Sequence, residues 1–451
     1  MELFGSSGTR GVANVELTPE LAIDVARAAG TFWDAERVAI ARDTRTTGPM
    51  LAAAVASGLT SVGVTADRLG IVPTPGVQAY AEREGVPAII VTASHNPPAY
   101  NGIKLVGAGG IELNVEELES LEATVLGDEI DLATWETVGN VTHVEGANRR
   151  YLDGVLAAID THAIENAALT VALDPGNGAG ALTSPGFIRD LGCRVVTINA
   201  QPDGHFPGRD PEPVPDNLDG LTRLVRAADA DLGIAHDGDA DRAIFVDERG
   251  EYIEGDAALA ALAAEELAAG DVTVSAVNVS QRLVDVVEDA GARLELTPIG
   301  STRIMARIRE LQDEGEHVPI AGEGNGGIIF PEYRLARDGA YIAAKFLQLV
   351  AERPTSEVVA DFNDYENVRI NVEYDAADVR DRLLEAAEEY ARSTDAELST
   401  IDGYRLDFGD GWVLVRPSGT EPLIRIYAEA RSADRAETLA EQVQARLESV
   451  V

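Results

Sequence analysis

Short apolar segments alternate with alanine-rich amphipathic segments along most of the chain. The segments RVAIAR and VPAIIV are rich in buried-type residues and run directly into polar loops, as strands of a parallel sheet do. Helical patterns lie between such segments; one of them, LAIDVARAAG, follows a capping hydroxyl at Thr18 and a proline at Pro19. The alternation predicts an α/β fold with mixed, largely parallel sheets.

The same pattern occurs three times, and a different pattern ends the chain. It restarts at ALTVALDPGNGAG and again at DVTVSAVNVS, so we expect three similar α/β domains. The last part reads as a strand, a helix from about Ala376, two strands and a helix from about Asp434, which predicts a small antiparallel α+β domain. The predicted domains are residues 1–146, 147–248, 249–365 and 366–451.

The segment DGDADR places the carboxylates of Asp237, Asp239 and Asp241 at alternate positions after an apolar segment. Three carboxylates this close repel one another unless a cation neutralises them, and oxygen ligands select a hard cation such as Mg²⁺. An EF-hand loop is one alternative, because Glu248 falls at its twelfth position. However, Arg242 stands at the sixth position, where that loop requires glycine, and the flanks resemble strands. A solvated acidic turn is the other alternative.

Ser94 lies in VTASHNPP, at the end of a predicted strand, where a hydroxyl can serve as a nucleophile. A hydrolytic Ser–His pair is one interpretation, but His95 is the immediate neighbour, and neighbours on extended chain point apart. No G-x-S-x-G motif surrounds the serine either. A serine that caps the next turn is the structural alternative. Ten residues later stands Lys104, one of two lysines in the chain, the other being Lys345.

Two loops near opposite ends of the chain combine glycine, hydroxyls and arginine. These are FGSSGTRG, which contains Arg10, and RPSGTEPLIR; such loops can bind phosphate through backbone N–H groups, hydroxyls and guanidinium. The loop GEGNGG offers Glu323 and Asn325 to neutral hydroxyls, as on a sugar. Each loop could also be an ordinary turn, and for DPGNGAG at 174–180 a plain turn fits better than a dinucleotide site. Together the loops describe phosphoryl transfer on a phosphosugar.

Composition restricts the partners and the environment. With 77 acidic against 36 basic residues the formal charge is -41, so no nucleic acid partner is expected. The acids are spread along the chain rather than collected in a tail, which predicts the cytoplasmic protein of a halophile. Cys193 is the only cysteine and can form no internal disulfide. No segment reaches ~18 consecutive apolar residues, and the start is not typical of an export signal, so we expect no membrane association.

The motifs TASHNP, NGIK, DGDADR, GEGNGG and RPSGTEP, in this order over essentially the whole chain, resemble the α-D-phosphohexomutase family. The resemblance implies three similar α/β domains and a mobile fourth around one central cleft. It also implies that Ser94 is a phosphoserine and that Mg²⁺ is held by its phosphate together with Asp237, Asp239 and Asp241. The reaction would interconvert hexose 6-phosphate and hexose 1-phosphate through a hexose 1,6-bisphosphate.

The resemblance also implies roles for the remaining candidates. Arg10 and Arg242 would balance charge beside the transferring group, and Lys104 would act there as acid/base or charge partner. Gly327 stands where many bacterial members have histidine, so the general base stays open. The residues implied in substrate binding are Glu323 and Asn325 for sugar hydroxyls and Arg416, Ser418, Gly419, Thr420 and Arg425 for the non-reacting phosphate.

The substrate and some alternatives stay open at this stage. The SGTEP and GEGNGG motifs resemble glucosamine-phosphate mutases and archaeal members, so phosphoglucosamine mutase is the first expectation, followed by a phosphomannomutase/phosphoglucomutase of broad specificity. A metal-dependent sugar phosphatase and a non-catalytic acidic calcium-binding protein are rival hypotheses. We expect a monomer or a weak homo-oligomer.

Overall fold

The computed structural model describes residues 3–5, 8–127, 130–418 and 422–450. The chain divides into two compact units, one made of residues 1–258 and 325–359 and the other of residues 259–324 and 360–451. Two of the predicted phosphate-binding residues, Gly419 and Thr420, lie outside the described residues.

The first unit begins with a six-stranded sheet in the order β1-β5-β4-β2-β3-β6. Strand β2 is parallel to its neighbours β3 and β4, and β6 is parallel to β3, whereas β5 is antiparallel to β4 and β1. The elements are β1 (Thr9–Val12), α1 (Pro19–Trp33), β2 (Arg37–Arg42), α2 (Gly48–Ser61), β3 (Thr65–Ile71), α3 (Thr74–Glu84), β4 (Ala88–Val91), β5 (Tyr100–Val106), α4 (Val115–Leu126) and β6 (Val141–His143).

Both faces of this sheet are buried, which explains its nearly continuous apolar strands. Along β2, Val38 and Ile40 pack in the cluster that includes α1 and α2 residues, whereas Ala39 and Ala41 pack in the cluster that includes α3 residues. The alternation follows the two-residue period of a strand. Helix α1 begins as predicted, because the Thr18 side chain accepts a hydrogen bond from the N–H of Leu21.

A second sheet in the same unit has the order β11-β10-β9-β7-β8. Strand β7 is parallel to β8 and β9, and β10 is antiparallel to β9 and β11. The elements are α5 (Ala147–Ala157), α6 (His162–Ala167), β7 (Thr170–Asp174), α7 (Ser184–Asp190), β8 (Arg194–Thr197), α8 (Asp219–Ala228), β9 (Leu232–Ala235), β10 (Ile244–Val246), β11 (Tyr252–Ile253) and α9 (Gly255–Glu266), which continues from Leu259 in the second unit.

The third α/β pattern continues from the second unit into the first. In the second unit β12 is parallel to β13 and to β14, and in the first unit β15 and β16 form an antiparallel hairpin. The elements are β12 (Val272–Ala276), α10 (Gln281–Ala290), β13 (Arg293–Thr297), α11 (Ser301–Asp313), β14 (Ala321–Glu323), β15 (Gly327–Phe330), β16 (Arg334–Arg337), α12 (Gly339–Val350) and α13 (Thr355–Val358).

The C-terminal part forms a five-stranded antiparallel sheet in the order β17-β21-β20-β19-β18. The antiparallel α+β pattern is as predicted, but the sheet contains two more strands than the three expected, because the segment between the helices turns more often than its apolar pattern indicates. The elements are β17 (Glu366–Glu373), α14 (Ala377–Ser393), β18 (Glu397–Ser399), β19 (Tyr404–Asp407), β20 (Gly411–Pro417), β21 (Leu423–Ala430) and α15 (Ala433–Glu448). No helix in the described part of the chain is long and apolar enough to cross a membrane.

Candidate active site

Ser94 lies in the loop that follows β4 and is fully buried. Its backbone has a φ of 50°, in the left-handed region that residues other than glycine seldom adopt. The N–H of Ser94 donates to the Thr92 hydroxyl at 3.0 Å, which helps to hold this turn. Backbone strain of this kind persists only where the surroundings support it, and it concentrates at functional sites.

The three aspartates of DGDADR lie in the loop between the antiparallel strands β9 and β10. They are buried, and one carboxylate oxygen of each lies within 4.8 Å of the others. Ala240, between the second and third aspartates, has a φ of 54°. The loop joins two strands rather than two helices, and Glu248 instead accepts hydrogen bonds from the N–H and hydroxyl of Ser356. An EF-hand is therefore excluded.

The serine loop and the aspartate loop are in direct contact. The Ser94 hydroxyl donates to Oδ2 of Asp237 at 2.7 Å. A Cβ atom at Gly238 would lie 2.6 Å from the carbonyl oxygen of Ser94, so the two backbones approach as closely as they do only because residue 238 is glycine. This contact brings the candidate nucleophile to the carboxylates.

Each of the three carboxylates has one oxygen that accepts a hydrogen bond from the protein and one that accepts none from the described residues. Oδ2 of Asp237 accepts from Ser94, Oδ2 of Asp239 from Thr74 at 2.7 Å, and Oδ2 of Asp241 from Arg337 at 2.5 Å. Within the described residues, Oδ1 of each aspartate is buried without a hydrogen-bond partner. Three buried carboxylates that lie this close together, each with one oxygen that accepts no hydrogen bond, fit a hard divalent cation such as Mg²⁺.

The electrostatics of the loop agree with this fit. Burial, followed by the charges of Asp241 and Asp239, raises the pKa of Asp237. Burial also acts against ionisation of Asp239 and Asp241, but it is outweighed chiefly by Lys104 for the former and Arg337 for the latter, so both pKa values are lowered. A bound cation would relieve the remaining repulsion at Asp237.

Lys104 reaches the same carboxylates from β5. Its side chain is buried, and its Nζ lies 3.1 Å from Oδ2 of Asp239, 3.4 Å from Oδ2 of Asp241 and 3.7 Å from Oε1 of Glu112. Burial would lower the pKa of Lys104, but these carboxylates outweigh it and raise the pKa above its ordinary value. Lys104 is therefore a fixed positive charge at neutral pH, which favours the role of charge partner over that of general base.

His95 lies closer to the serine than expected. Its Nδ1 is 3.4 Å from the Ser94 hydroxyl and 3.2 Å from Nη2 of Arg242. The expectation that the two side chains point apart is wrong, because Ser94 is left-handed rather than extended. A hydrolytic pair still does not follow. Burial and the charges of Arg242 and Arg10 lower the pKa of His95 to about 2, so the imidazole is a weak base.

The two arginines predicted beside the reacting group lie near it in the first unit. Arg10, on β1, donates to Oδ1 of Asn96 at 2.9 Å. Arg242 directs its Nε to within 3.8 Å of Asp237 and 3.9 Å of Asp241. Both can therefore contribute positive charge where a phosphoryl group would be transferred.

The predicted substrate-binding residues are divided between the two units. Asn325, in the first unit, accepts a hydrogen bond from the N–H of Gly327 at 3.0 Å. In the second unit, Arg416 and Arg425 face each other on neighbouring strands, and Nη2 of Arg416 lies 3.1 Å from Oδ2 of Asp402. The N–H of Ser418 donates to the carbonyl of Leu423. Glu323 is buried at the end of β14.

Three residues that support the site were not predicted. Thr74, at the start of α3, donates through its hydroxyl to Asp239 and through its N–H to the carbonyl of the same residue. Arg337 ends β16 and binds Asp241. Arg45 is wholly buried and pairs with Asp43. It donates to three carbonyl oxygens of the loop that contains Ser94 and to the carbonyl of Tyr100 at the start of β5. The sequence signal for Arg45 is the ARDTR segment, which begins in β2 and continues into the polar loop that follows it.

The DPGNGAG segment supports the aspartate loop. The N–H of Ala179 donates to the carbonyl of Gly238 at 2.9 Å, and a Cβ at Gly178 would lie 2.5 Å from that same oxygen. Asp174 forms a buried ion pair with Arg209. The segment is thus a turn packed beneath the aspartates, as the sequence favoured.

A buried hydroxyl beside three aspartates that could hold a cation, on repeated α/β patterns followed by an α+β part, is the arrangement expected of a metal-assisted phosphoryl-transfer enzyme. Sequence comparison identifies the family. The phosphoglucomutase/phosphomannomutase alpha/beta/alpha domains I, II and III match residues 1–130, 149–250 and 254–365, and the C-terminal domain of that family matches residues 367–446. The chain belongs to the phosphoglucomutase/phosphomannomutase family, whose members are phosphohexomutases, that is, intramolecular phosphotransferases.

Individual relatives extend over nearly the whole chain. A probable phosphoglucosamine mutase of Methanopyrus kandleri is 41% identical and covers 97% of this chain and 96% of its own. A phosphoglucomutase/phosphomannomutase of Thermococcus kodakarensis is 40% identical, with 96% of each chain covered. The crystal structure of a phosphoglucomutase/phosphomannomutase family protein from Burkholderia thailandensis superposes with a TM-score of 0.86 at 26% identity, over 100% of this chain and 97% of that one. The predicted fold class and family are thereby confirmed.

Proposed function

We propose that this phosphohexomutase interconverts hexose 6-phosphate and hexose 1-phosphate through a phosphoserine at Ser94 and a hexose 1,6-bisphosphate. The observation that carries the proposal is the hydrogen bond from the Ser94 hydroxyl to Asp237, within a triad whose three Oδ1 atoms are buried and accept no hydrogen bond from the described residues. A hydroxyl held there can carry a phosphoryl group beside a cation.

The transfer itself requires little covalent chemistry from the protein. A sugar hydroxyl oxygen attacks the phosphorus on Ser94, and the P–Oγ bond breaks as the new P–O bond forms. The sugar hydroxyl gives up one proton and the leaving Oγ of Ser94 takes up one, so the serine hydroxyl is restored. Arg10, Arg242 and Lys104 supply fixed positive charge for the phosphoryl oxygens. Mg²⁺, held by Asp237, Asp239 and Asp241, would when bound neutralise charge that develops on the same oxygens.

The return transfer uses the other end of the sugar. The bisphosphate turns end for end, and Ser94 recovers the second phosphoryl group. The binding residues must then accept both orientations, so we assign them to groups that both orientations present: the non-reacting phosphate and the ring hydroxyls. The proposed phosphate ligands are Arg416, Ser418, Gly419, Thr420 and Arg425, and the proposed hydroxyl ligands are Glu323 and Asn325.

The proposed domains are residues 1–146, 147–248, 249–365 and 366–451.

For the substrate we propose glucosamine phosphate first, with mannose and glucose phosphates as alternatives. The probable phosphoglucosamine mutase from M. kandleri supports the first choice, whereas the T. kodakarensis relative, at nearly the same identity, supports the alternatives. Values of kcat/KM for the three hexose monophosphates, measured in concentrated salt, decide between them.

We also propose a cytoplasmic monomer or weak homo-oligomer adapted to salt, on the strength of the formal charge of -41.

Turnover of the Ser94→Ala variant tests the proposal. We expect Ser94→Ala to lose conversion of hexose 6-phosphate to hexose 1-phosphate in the presence of Mg²⁺ and hexose 1,6-bisphosphate, while its thermal midpoint stays near that of the wild type. The matched control is Ser57→Ala, an exposed serine on α2, which should keep full activity. Substantial mutase activity in Ser94→Ala would remove Ser94 as the carrier, and release of inorganic phosphate as fast as isomerisation would indicate a phosphatase.

A further inference from the structure

The β15–β16 hairpin contributes a side chain to the aspartate loop. Nη2 of Arg337, at the end of β16, lies 2.5 Å from Oδ2 of Asp241, and Arg337 is only 8% exposed. Backbone hydrogen bonds join the same segments, from the N–H of Ala243 to the carbonyl of Gly326 and from the N–H of Gly339 to the carbonyl of Ala240. The hairpin therefore holds the loop on both sides of Asp241.

The path of the Arg337 side chain depends on Gly327. A Cβ atom at residue 327 would lie 2.6 Å from Cδ of Arg337, far inside the van der Waals distance, and 3.0 Å from Oδ1 of Asn325. Gly327 is not among the residues with positive φ, so its backbone would accept another residue. Glycine is required at residue 327 because the side chain of Arg337 occupies the space that a Cβ atom would need.

Arg337 and Lys104 together fix the orientation of the Asp241 carboxylate. Both cations contact Oδ2, at 2.5 Å and 3.4 Å, whereas Oδ1 is buried and accepts no hydrogen bond from the described residues. A guanidinium donates in a fixed plane, whereas an ammonium acts as a compact point charge. Of the two, Arg337 is the one that can set the rotation of the carboxylate.

We propose that Arg337 is a positioning residue that orients Asp241 for its cation, and that Gly327 and Arg337 form one functional pair. The inference rests on the proposed Mg²⁺ site and adds a residue to it. A histidine at 327, which the sequence resemblance assigns to many bacterial members, would enter the volume that Arg337 occupies. In this chain the position is therefore used to place a permanent cation against a metal ligand.

A double-mutant cycle tests the pair, with the Mg²⁺ dissociation constant measured by calorimetry on the full-length protein. We expect Arg337→Met to weaken Mg²⁺ binding by about 10- to 100-fold, the usual effect of losing a group that orients a metal ligand. Gly327→Ala should weaken binding in the same direction by displacing Arg337. In the double variant the second substitution should add little to the loss of Mg²⁺ affinity, because the effects of residues that act as one unit are not additive.

Two controls separate this inference from the proposed metal site. Arg334→Met removes another arginine of the same strand, one that binds Glu82 rather than Asp241. This variant should leave Mg²⁺ affinity unchanged. Asp239→Asn should weaken Mg²⁺ binding strongly; if it does not, the metal site and the inference both fall. If Asp239→Asn weakens binding but Arg337→Met and Gly327→Ala do not, or if removing Arg337 tightens binding, only the inference is overturned. Should Arg337→Met fail to fold, Gly327→Ala and Arg337→Lys give the same comparison.

Discussion

The Ser94 hydroxyl donates a hydrogen bond of 2.7 Å to Asp237, although the two residues are 143 positions apart in the chain. The contact joins the loop after β4 to the loop between β9 and β10. It requires a left-handed serine and a glycine at 238 whose missing side chain lets the loops touch. The distance between these two loops determines whether a phosphoryl group on Ser94 would lie against the carboxylates.

The contact predicts a large effect of Gly238→Ala on activity. The added methyl group would lie 2.6 Å from the Ser94 carbonyl oxygen, which is backbone and cannot move aside, so the loops should separate. A misplacement of reacting groups by ~1 Å can cost on the order of 100-fold in rate, and we expect a comparable loss of kcat/KM. The control is Gly186→Ala on α7, where an added Cβ meets nothing within 4 Å. Equal activity of the two variants would contradict the prediction.

Lys104→Arg tests whether a small ammonium is needed. The Nζ atom is enclosed by three carboxylates at 3.1–3.7 Å, and the larger guanidinium keeps the charge but not the fit. We expect activity to fall at least tenfold and stability to fall by about 1–3 kcal/mol through overpacking. Lys345→Arg, at the only other lysine, on α12, should change neither. A wild-type kcat in Lys104→Arg would show that a positive charge at residue 104 suffices for catalysis, whatever the group that carries it.

His236 predicts a pH dependence of stability. It is buried, with Nδ1 2.7 Å from the carbonyl of Arg242, and burial lowers its pKa from 6.5 to about 4. The pKa of His236 is lower in the folded than in the unfolded protein. Its contribution to stability is therefore fully present above pH 6.5 and is lost as the pH falls toward 4. Protonation linked to His236 should lower the free energy of unfolding by roughly 2 kcal/mol between pH 6.5 and 5.

Denaturant unfolding at several pH values in constant salt measures this loss. The slope of unfolding free energy against pH should be smaller in His236→Asn than in the wild type. The exposed His143, replaced by asparagine, should leave the slope unchanged. The same slope in wild type and His236→Asn would show that His236 does not contribute to acid sensitivity.

Sequence reasoning located the residues of the site that belong to compact motifs. Ser94 and the three aspartates each follow an apolar strand, so their motif and strand position could be read together. Arg337 and Thr74 could not be found in this way, because neither belongs to a recognisable motif and each reaches the aspartates from a distant segment. The prediction that His95 points away from Ser94 is wrong because it applies to extended chain, whereas Ser94 is left-handed. The extra C-terminal strands were missed because short strands have weak apolar patterns.

The most direct test of the account is the phosphorylation state of Ser94. The protein is incubated with hexose 1,6-bisphosphate and Mg²⁺ in concentrated salt, and the peptide that contains Ser94 is examined by tandem mass spectrometry before and after hexose 6-phosphate is added. We predict one phosphate on Ser94 before the sugar is added, its transfer to that sugar to give hexose 1,6-bisphosphate, and the return of one phosphate to Ser94 when the turnover is complete. A protein that isomerises hexose phosphates while Ser94 never carries phosphate would contradict the account.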